Sequence, residues 1–194
     1  MLDNLNRYKV VLASASPRRR ELLAGLDIDF EVRTLPDVDE SFPTTLQGGD
    51  IPLYISKKKA DAYRPIMADD ELVITADTIV WLDGKALGKP TDEADARRML
   101  RDMSGKTHSV FTGVTITTKG EQHCFVAQSD VTFATLADDE IDYYINKYRP
   151  MDKAGSYGVQ EWIGYIGIEK ISGSYFNVMG LPVQRLYSEL RTVL

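Results

Sequence analysis

Residues 72–76 form a short apolar run, Leu-Val-Ile-Thr-Ala, that contains no charged residue. A strand of this kind is buried on both faces, because a strand with one face in water alternates apolar and polar side chains. Both faces can be buried only if helices pack on each side of the sheet. The run therefore predicts an α/β fold, and 194 residues suffice for one large domain, residues 1–194, or for two small lobes with a common core.

Strand-like and helix-like segments interleave along the rest of the chain. β-rich segments lie at residues 9–13, 30–34, 79–82, 85–87, 108–117, 122–135 and 165–171. Helical spacing and capping signals predict helices at residues 16–26, 51–63, 91–103 (capped by Thr91), 138–147 and 182–194. Two hairpins, at Asp83-Gly84 and Lys119-Gly120, break the strict alternation of strand and helix. We therefore expect a mixed sheet with flanking helices.

The acidic composition limits the kinds of partner. The net charge is −6 and the pI about 5.0, which argues against a sequence-independent nucleic-acid binder, because such proteins need a basic face. Cys124 is the single cysteine, so an internal disulfide framework and a cysteine zinc site are excluded. The sequence contains no apolar run of the roughly 20 residues that a membrane span needs and shows no secretory signal. A cytoplasmic protein without membrane association is expected.

An anion site is predicted where the first strand meets the first helix. Ser16 and Pro17 have the signature of a helix start, with serine as N-cap and proline at the first position. Free backbone N–H groups at this end bind anions, and the hydroxyls of Ser14 and Ser16 add donors. Arg18 and Arg19 in the first turn oppose the helix dipole, so they make sense if a phosphate chain lies between them. The alternative is a solvated basic helix start with an ordinary cap.

Acidic residues follow the apolar run and also occupy an earlier loop. Asp77 comes directly after residues 72–76, so it should lie at the carboxyl end of a buried strand, where α/β sheets place ligands. Its carboxylate can hold a metal or deprotonate a water molecule, or it can merely cap a turn. Asp37, Asp39 and Glu40 offer further oxygen ligands for Mg²⁺ beside phosphates, with a solvated surface loop as the alternative.

Lysines and histidines complete the candidate groups. Lys59 lies in a predicted helix, Lys89 precedes a proline, and Lys153 opens a glycine-containing loop. A lysine beside such a loop can reach a phosphate while the backbone approaches it closely, although each lysine alone is more often a surface residue. His108 and His123 lie in predicted strands, and two histidines without nearby acids make a weak case for a metal site or a catalytic triad.

Eight short motifs follow one another along the chain: Leu12-Ala13-Ser14-Ala15-Ser16-Pro17-Arg18-Arg19, Asp39-Glu40, Lys59-Ala60, Ala76-Asp77-Thr78-Ile79-Val80, Lys89-Pro90, Lys153-Ala154-Gly155-Ser156-Tyr157-Gly158, Gly173-Ser174-Tyr175 and Gly180-Leu181-Pro182. With these motifs, residues 12–182 resemble the Maf-type nucleotide pyrophosphatases, also called septum formation inhibitor-like proteins. The likeness covers nearly the whole chain, and so many ordered matches make it highly specific.

The resemblance implies an elongated α/β fold similar to the inosine triphosphate pyrophosphatases, with two lobes around a cleft. It implies that Asp77 is the catalytic base and that Glu40 and Asp77 hold a divalent cation, Mg²⁺ or Mn²⁺. Substrate binding is assigned to Ser14, Ser16, Arg18, Arg19, Lys59, Lys89 and Lys153. The resemblance also suggests a homodimer, for which Tyr143, Tyr144 and Trp162 are candidate contacts, with core packing as the alternative.

At Arg18, Thr78 and Gln160 the sequence resembles the Maf subgroup that is selective for dTTP and UTP. A glutamine amide both donates and accepts hydrogen bonds, which suits the edge of uracil or thymine. The implied reaction is hydrolysis of dTTP, UTP or modified pyrimidine nucleotides to the monophosphate and pyrophosphate. Two alternatives are a non-catalytic nucleotide-binding regulator of cell division and a phosphatase that forms a phospho-aspartyl intermediate at Asp77 and releases inorganic phosphate.

Overall fold

A seven-stranded mixed sheet forms the centre of the fold in the computed structural model, which describes residues 2–36 and 38–192. The strands are β1 (Lys9–Leu12), β2 (Phe30–Val32), β3 (Glu71–Leu82), β4 (Lys85–Leu87), β5 (Thr107–Thr117), β6 (Gln122–Phe133) and β7 (Ile168–Ser172). The helices are α1 (Pro17–Ala24), α2 (Asp50–Tyr63), α3 (Glu93–Met103), α4 (Asp138–Tyr148), α5 (Trp162–Gly167), α6 (Tyr175–Met179) and α7 (Val183–Thr192). The predicted mixed sheet with flanking helices is confirmed.

The sheet changes from parallel to antiparallel pairing at β3. Its strand order is β2-β1-β3-β5-β6-β7, with β4 paired to β3. β1 runs parallel to both β2 and β3, whereas β5 runs antiparallel to β3 and to β6. The two predicted hairpins account for the antiparallel pairs β3–β4 and β5–β6, because their short connections cannot link parallel strands.

Asp77 does not follow the end of a strand, so that prediction is wrong. Pairing of β3 with the parallel strand β1 stops at Ile74. The strand nevertheless continues because β5 pairs with it from Val73 to Trp81, and Asp77 lies inside β3 opposite Gly113. Asp77 therefore lies just beyond the parallel part of the sheet while remaining on a rigid, hydrogen-bonded strand.

Two other local predictions need correction. Asp92, not Thr91, is the N-cap of α3, because its carboxylate accepts a hydrogen bond from the Asp95 N–H at 2.8 Å. The strand predicted at residues 165–171 begins only at Ile168, since α5 occupies the chain up to Gly167. Gly164 permits that helix, because a Cβ there would lie 1.9 Å from the carbonyl oxygen of Val159.

Two large clusters of buried apolar side chains form most of the core. One joins α3, α4 and α5 to the sheet and includes Leu100 and Tyr144. The other packs α1 and α7 against β1 and β3 and includes Leu12 and Leu186. This division of the core agrees with the expected two lobes. The last two residues of the predicted C-terminal helix lie outside the described residues.

None of the helices within residues 2–36 and 38–192 combines the length and apolar character needed to cross a membrane.

Candidate active site

One cleft of about 700 Å³ is lined by the side chains that the family resemblance assigned to catalysis, substrate binding, base preference and metal binding. These are Ser14, Ser16, Arg18, Arg19, Glu40, Lys59, Asp77, Thr78, Lys89, Lys153 and Gln160. They come from the start of α1, the loop before α2, α2 itself, β3, the segment after β4 and the loop between α4 and α5. The fold therefore gathers residues from the whole length of the chain around one space.

The acidic loop contributes only part of its carboxylates. Glu40 lines the cleft, whereas Asp39 is exposed and pairs with Lys58 at 2.5 Å and with the hydroxyl of Ser41 at 2.8 Å. Asp37 lies outside the described residues. Of the three acids, Glu40 is thus the one that this structure places beside Asp77 and Lys59.

Asp77, Lys59 and Glu40 form a chain of charges on the cleft wall. The Lys59 ammonium lies 2.8 Å from Asp77 Oδ1 and 2.9 Å from Glu40 Oε1. The side chains of Asp77 and Lys59 are only 13% and 15% exposed. Burial raises the pKa of the Asp77 carboxyl, and the charges of Lys59 and Arg19 offset this only in part. Burial also opposes ionisation of Glu40, but the hydrogen bond and charge of Lys59 outweigh it and lower the pKa of Glu40.

The start of α1 presents hydroxyl and backbone groups to the cleft, as the sequence predicted. Ser16 is the N-cap, and its Oγ accepts a hydrogen bond from the Arg19 N–H at 3.4 Å. Ser14 Oγ accepts from the Ser16 N–H at 3.2 Å. Both hydroxyl oxygens act as acceptors in these bonds, so their protons can still be donated to an anion.

Arg19 is held almost entirely by the protein. Its guanidinium donates to the carbonyl oxygens of Gly180 and Ala76, at 2.8 and 2.9 Å. It also donates to Thr78 Oγ1 at 3.0 Å and to Ser14 Oγ at 3.5 Å. These bonds tie α1 to β3 on either side of Asp77 and leave little of the guanidinium for a ligand.

Arg18 and Lys153 share one carboxylate. Arg18 Nη1 lies 3.1 Å from Asp152 Oδ2, and Lys153 Nζ lies 2.8 Å from Asp152 Oδ1. Lys153 also lies 3.1 Å from Glu161 Oε1, and its side chain is 9% exposed. The loop that carries Lys153 is joined to the Lys89 segment by a hydrogen bond from the Gly155 N–H to the Gly88 carbonyl, at 3.0 Å.

Thr78 and Gln160 differ in how far the protein satisfies them. The Thr78 hydroxyl lies 2.9 Å from that of Thr112 and also contacts Gly180 O, in addition to Arg19. Gln160 Oε1 is buried and has no hydrogen-bond partner among the described residues. A buried carbonyl without a partner is costly, typically about 1–3 kcal/mol, and Gln160 is one of the residues that line the cleft.

The sequence matches the family model described as Maf-like protein over residues 9–193. The chain belongs to the Maf family. A dTTP/UTP pyrophosphatase from Phocaeicola vulgatus is 65% identical, over 98% of this chain and 99% of its own length. A dTTP/UTP pyrophosphatase from Bacteroides fragilis is 64% identical over the same shares. The solved structure of a HAM1 protein from Coxiella burnetii is 14% identical, with a TM-score of 0.48 over 94% of this chain and 98% of that one.

The Maf motifs do not contain every charged group of this cleft. Asp152 and Glu161 were not singled out from the sequence, although Asp152 precedes the lysine motif and Glu161 follows Gln160. Their spacing to Lys153 and Gln160 is the only signal that sequence offers. Tyr144, a candidate dimer contact in the sequence, is fully buried, which favours the alternative of core packing. The expectation that neither histidine has a nearby acid is wrong for His123. Its Nε2 lies 2.7 Å from Glu189 Oε2 on α7, a residue distant in sequence.

The donor set of this Maf cleft fits a hard divalent cation. Glu40 and Asp77 both approach one ammonium group, that of Lys59, so their oxygens can reach a single cation. Within the part of the chain that the structure describes, no group of three or more His, Cys, Asp or Glu side chains forms a complete metal site. Two carboxylates completed by phosphate oxygens and water are the usual arrangement for Mg²⁺ in phosphate chemistry.

Proposed function

We propose that this protein hydrolyses dTTP and UTP, as normal or modified nucleotides, to the monophosphate and pyrophosphate. The observation that carries the proposal is the buried Asp77 carboxylate, paired with Lys59 in a cleft whose lining includes five basic and three acidic side chains. This local excess of positive charge, in a chain of net charge −6, suits a polyanionic substrate. The dTTP/UTP pyrophosphatases that resemble the chain across nearly its full length support the choice of substrate.

Asp77 is the proposed general base. Its carboxylate lies on a rigid strand, and its raised pKa makes it a stronger proton acceptor than an exposed aspartate. We assign it to removal of a proton from the water that attacks the α-phosphate. Lys59, at 2.8 Å, keeps the carboxylate oriented before the reaction.

The phosphates are assigned to the basic side chains and the helix start. Ser14, Ser16 and Arg18 lie at the start of α1, and Lys89 and Lys153 lie in adjoining loops. Their positive charge stabilises the charge that develops on the leaving pyrophosphate. Arg19 contributes its charge from a position fixed by its bonds to Gly180 and Ala76, so we assign it mainly to holding the site in shape.

Recognition of the nucleobase is assigned to Gln160 and Thr78. The Gln160 amide can accept from the N3–H of uracil or thymine and donate to a neighbouring carbonyl. The unpartnered Oε1 of Gln160 supports this assignment. Thr78, bonded to Thr112 and Arg19, fixes the strand beside it.

Mg²⁺ or Mn²⁺ is the proposed cofactor, held by Glu40 and Asp77. When bound, the cation supplies positive charge that neutralises phosphate oxygens and lowers the pKa of a coordinated water. The predicted single domain, residues 1–194, the homodimer and a cytoplasmic location remain part of the proposal. Light scattering on the purified protein tests the homodimer.

Product analysis tests the proposed reaction. The protein is incubated with dTTP, UTP, CTP and the purine triphosphates, with Mg²⁺ or Mn²⁺, and nucleotide and phosphate products are separated. Monophosphate and pyrophosphate from dTTP and UTP are the expected products. Inorganic phosphate as the first product would favour the phosphatase alternative, and binding without any product would favour the non-catalytic regulator.

A further inference from the structure

The turn that carries Gln160 is closed on itself and on one carboxylate. The Glu161 N–H donates to the carbonyl of Gly158 at 2.9 Å, and the Gly164 N–H donates to the carbonyl of Glu161 at 2.8 Å. A Cβ on Gly158 would lie 2.7 Å from the carboxyl carbon of Glu161, so the carboxylate packs directly on the backbone of the turn. The conformation of residues 158–161 therefore depends on the Glu161 carboxylate packed against Gly158.

Tyr144 on α4 fixes the same carboxylate from the protein interior. Its hydroxyl donates to Glu161 Oε2 and accepts from the Gly158 N–H at 2.9 Å. Tyr144 is fully buried, and burial raises the pKa of its hydroxyl, which therefore stays a neutral donor. One hydroxyl thus holds both ends of the turn, Gly158 and Glu161, with Gln160 between them.

The other oxygen of Glu161 is paired with Lys153, which lines the cleft. Glu161 Oε1 lies 3.1 Å from Lys153 Nζ, and the Glu161 side chain is 19% exposed. The carboxylate consequently links the turn of Gln160, the residue assigned to the nucleobase, with Lys153, a lysine assigned to the phosphates. A nearly buried carboxylate with a partner on each oxygen has little freedom to move.

We propose that Glu161, held by Tyr144, is a positioning residue that fixes the turn carrying Gln160 and so sets the preference for uracil over cytosine. The inference rests on the proposed function, because it takes Gln160 as the residue that contacts the base. Uracil presents an N3–H donor and an O4 acceptor, whereas cytosine presents an N3 acceptor and an N4 amino donor. A turn held in one place presents the glutamine amide to one edge of the nucleobase, whereas a turn that shifts lets the amide adapt to either pattern.

Binding of non-hydrolysable UTP and CTP analogues tests this inference without requiring turnover. Dissociation constants are measured by calorimetry for the wild type, Glu161→Gln, Tyr144→Phe and the control Glu169→Gln, which changes an exposed acid on β7. We expect the UTP-over-CTP preference to fall about tenfold in Glu161→Gln and in the same direction in Tyr144→Phe. The control should keep the wild-type preference.

Pyrophosphate affinity provides the second readout. It should change by less than about threefold in both variants, because Lys153 retains Asp152 at 2.8 Å. A merely structural role would weaken pyrophosphate and both analogues together, in step with a lower melting temperature, and would overturn the inference. An unchanged UTP-over-CTP ratio in Tyr144→Phe and Glu161→Gln would overturn it too, as would a wild type without preference. A wild type that prefers UTP but releases no pyrophosphate would count against the proposed reaction alone.

Discussion

Asp77 destabilises the folded protein for the same reason that it suits a general base. Its side chain is 13% exposed, and burial raises the pKa of its carboxyl above the ordinary value. A carboxyl with a raised pKa in the folded state lowers stability at any pH above its unfolded pKa, because the unfolded chain ionises it more easily. The residue therefore reduces stability at neutral pH in exchange for a basic carboxylate in the cleft.

Asp77→Asn separates these two effects. Turnover of UTP should fall by at least about 10²–10³-fold, the loss typical of a removed catalytic contact. The melting temperature should stay the same or rise, since Lys59 keeps Glu40 at 2.9 Å. Steady-state kinetics and thermal unfolding measure both quantities. Asp83→Asn, in the exposed turn after β3, is the control and should preserve turnover. Near-full activity of Asp77→Asn would show that Asp77 is not the base.

Arg18 and Arg19 are adjacent in sequence but differ in what they hold. Arg19→Lys removes most of four hydrogen bonds and should lower the free energy of unfolding by about 2 kcal/mol. Arg18→Lys keeps a charge near Asp152 and should lower it by less than about 0.5 kcal/mol, while weakening pyrophosphate binding. Urea unfolding and calorimetry with pyrophosphate decide the matter. Equal losses of stability in both variants would contradict the distinction.

The sequence predicted the residues that line the candidate site better than the residues that hold them in position. Ser14, Arg18, Asp77 and Gln160 belong to short motifs whose chemistry is local, and the cleft brings them together. Glu161 could not be found in this way, because its role depends on Tyr144, which is 17 positions earlier and on another element. An isolated acid beside a glutamine is indistinguishable in sequence from a solvated surface residue.

At the level of elements, the pairing of β3 with β5 decides where Asp77 lies. The sequence predicted separate strands at residues 72–76 and 79–82, and the two are one strand because β5, much later in the chain, pairs with β3 from Asp77 to Trp81 as well. Helices fared better when their signals were local, as with Ser16 and Pro17 at the start of α1. The length of a strand depends on its pairing with other strands, which the apolar pattern of one segment does not predict.

Gly113 couples α2 to the sheet at the level of Asp77. It is paired with Asp77 across β3 and β5, and a Cβ on it would lie 2.4 Å from the backbone of Pro52 and Leu53. Gly113→Ala should therefore push α2 outward and lower the free energy of unfolding by about 1–3 kcal/mol. Because α2 carries Lys59, turnover should also fall, by about tenfold or more.

Denaturant unfolding and UTP turnover measure the two effects of Gly113→Ala. Gly120→Ala is the matched control, since no heavy atom of residues 2–36 and 38–192 lies within 4 Å of the added Cβ in the β5–β6 hairpin. The control should leave both quantities near the wild type. If Gly113→Ala is as stable and active as Gly120→Ala, the close packing of α2 on β5 does not position Lys59.

For the whole molecule, the position of charge matters more than its total. The chain carries −6 overall, yet the cleft lining holds five basic and three acidic side chains. Composition argued against a sequence-independent nucleic-acid binder, but it could not show a local basic region within an acidic protein. That region exists because α1, α2 and two loops converge on β3, which is a property of the fold as a whole.

The stability of the whole molecule should depend on His108 at acidic pH. His108 is 2% exposed, packs edge-on against Phe133, and its Nε2 lies 2.7 Å from the hydroxyl of Tyr157. Burial lowers the pKa of His108 from 6.5 to about 4. The folded protein therefore resists protonation that the unfolded chain accepts. His108 has no effect of this kind above about pH 6.5, and its penalty grows as the pH falls towards 4.

His108→Gln removes this penalty while keeping a group that can bond to Tyr157. Between pH 7 and pH 4.5 the wild type should lose about 2.5 kcal/mol more unfolding free energy than the variant, given the shift in the His108 pKa. Urea unfolding of both proteins at the two pH values gives the difference, in which the titration of shared carboxylates cancels. The variant is expected to be less stable at pH 7, because a Gln fills the aromatic cluster poorly. Parallel losses in the two proteins would mean that His108 is protonated as readily in the folded protein as in the unfolded chain.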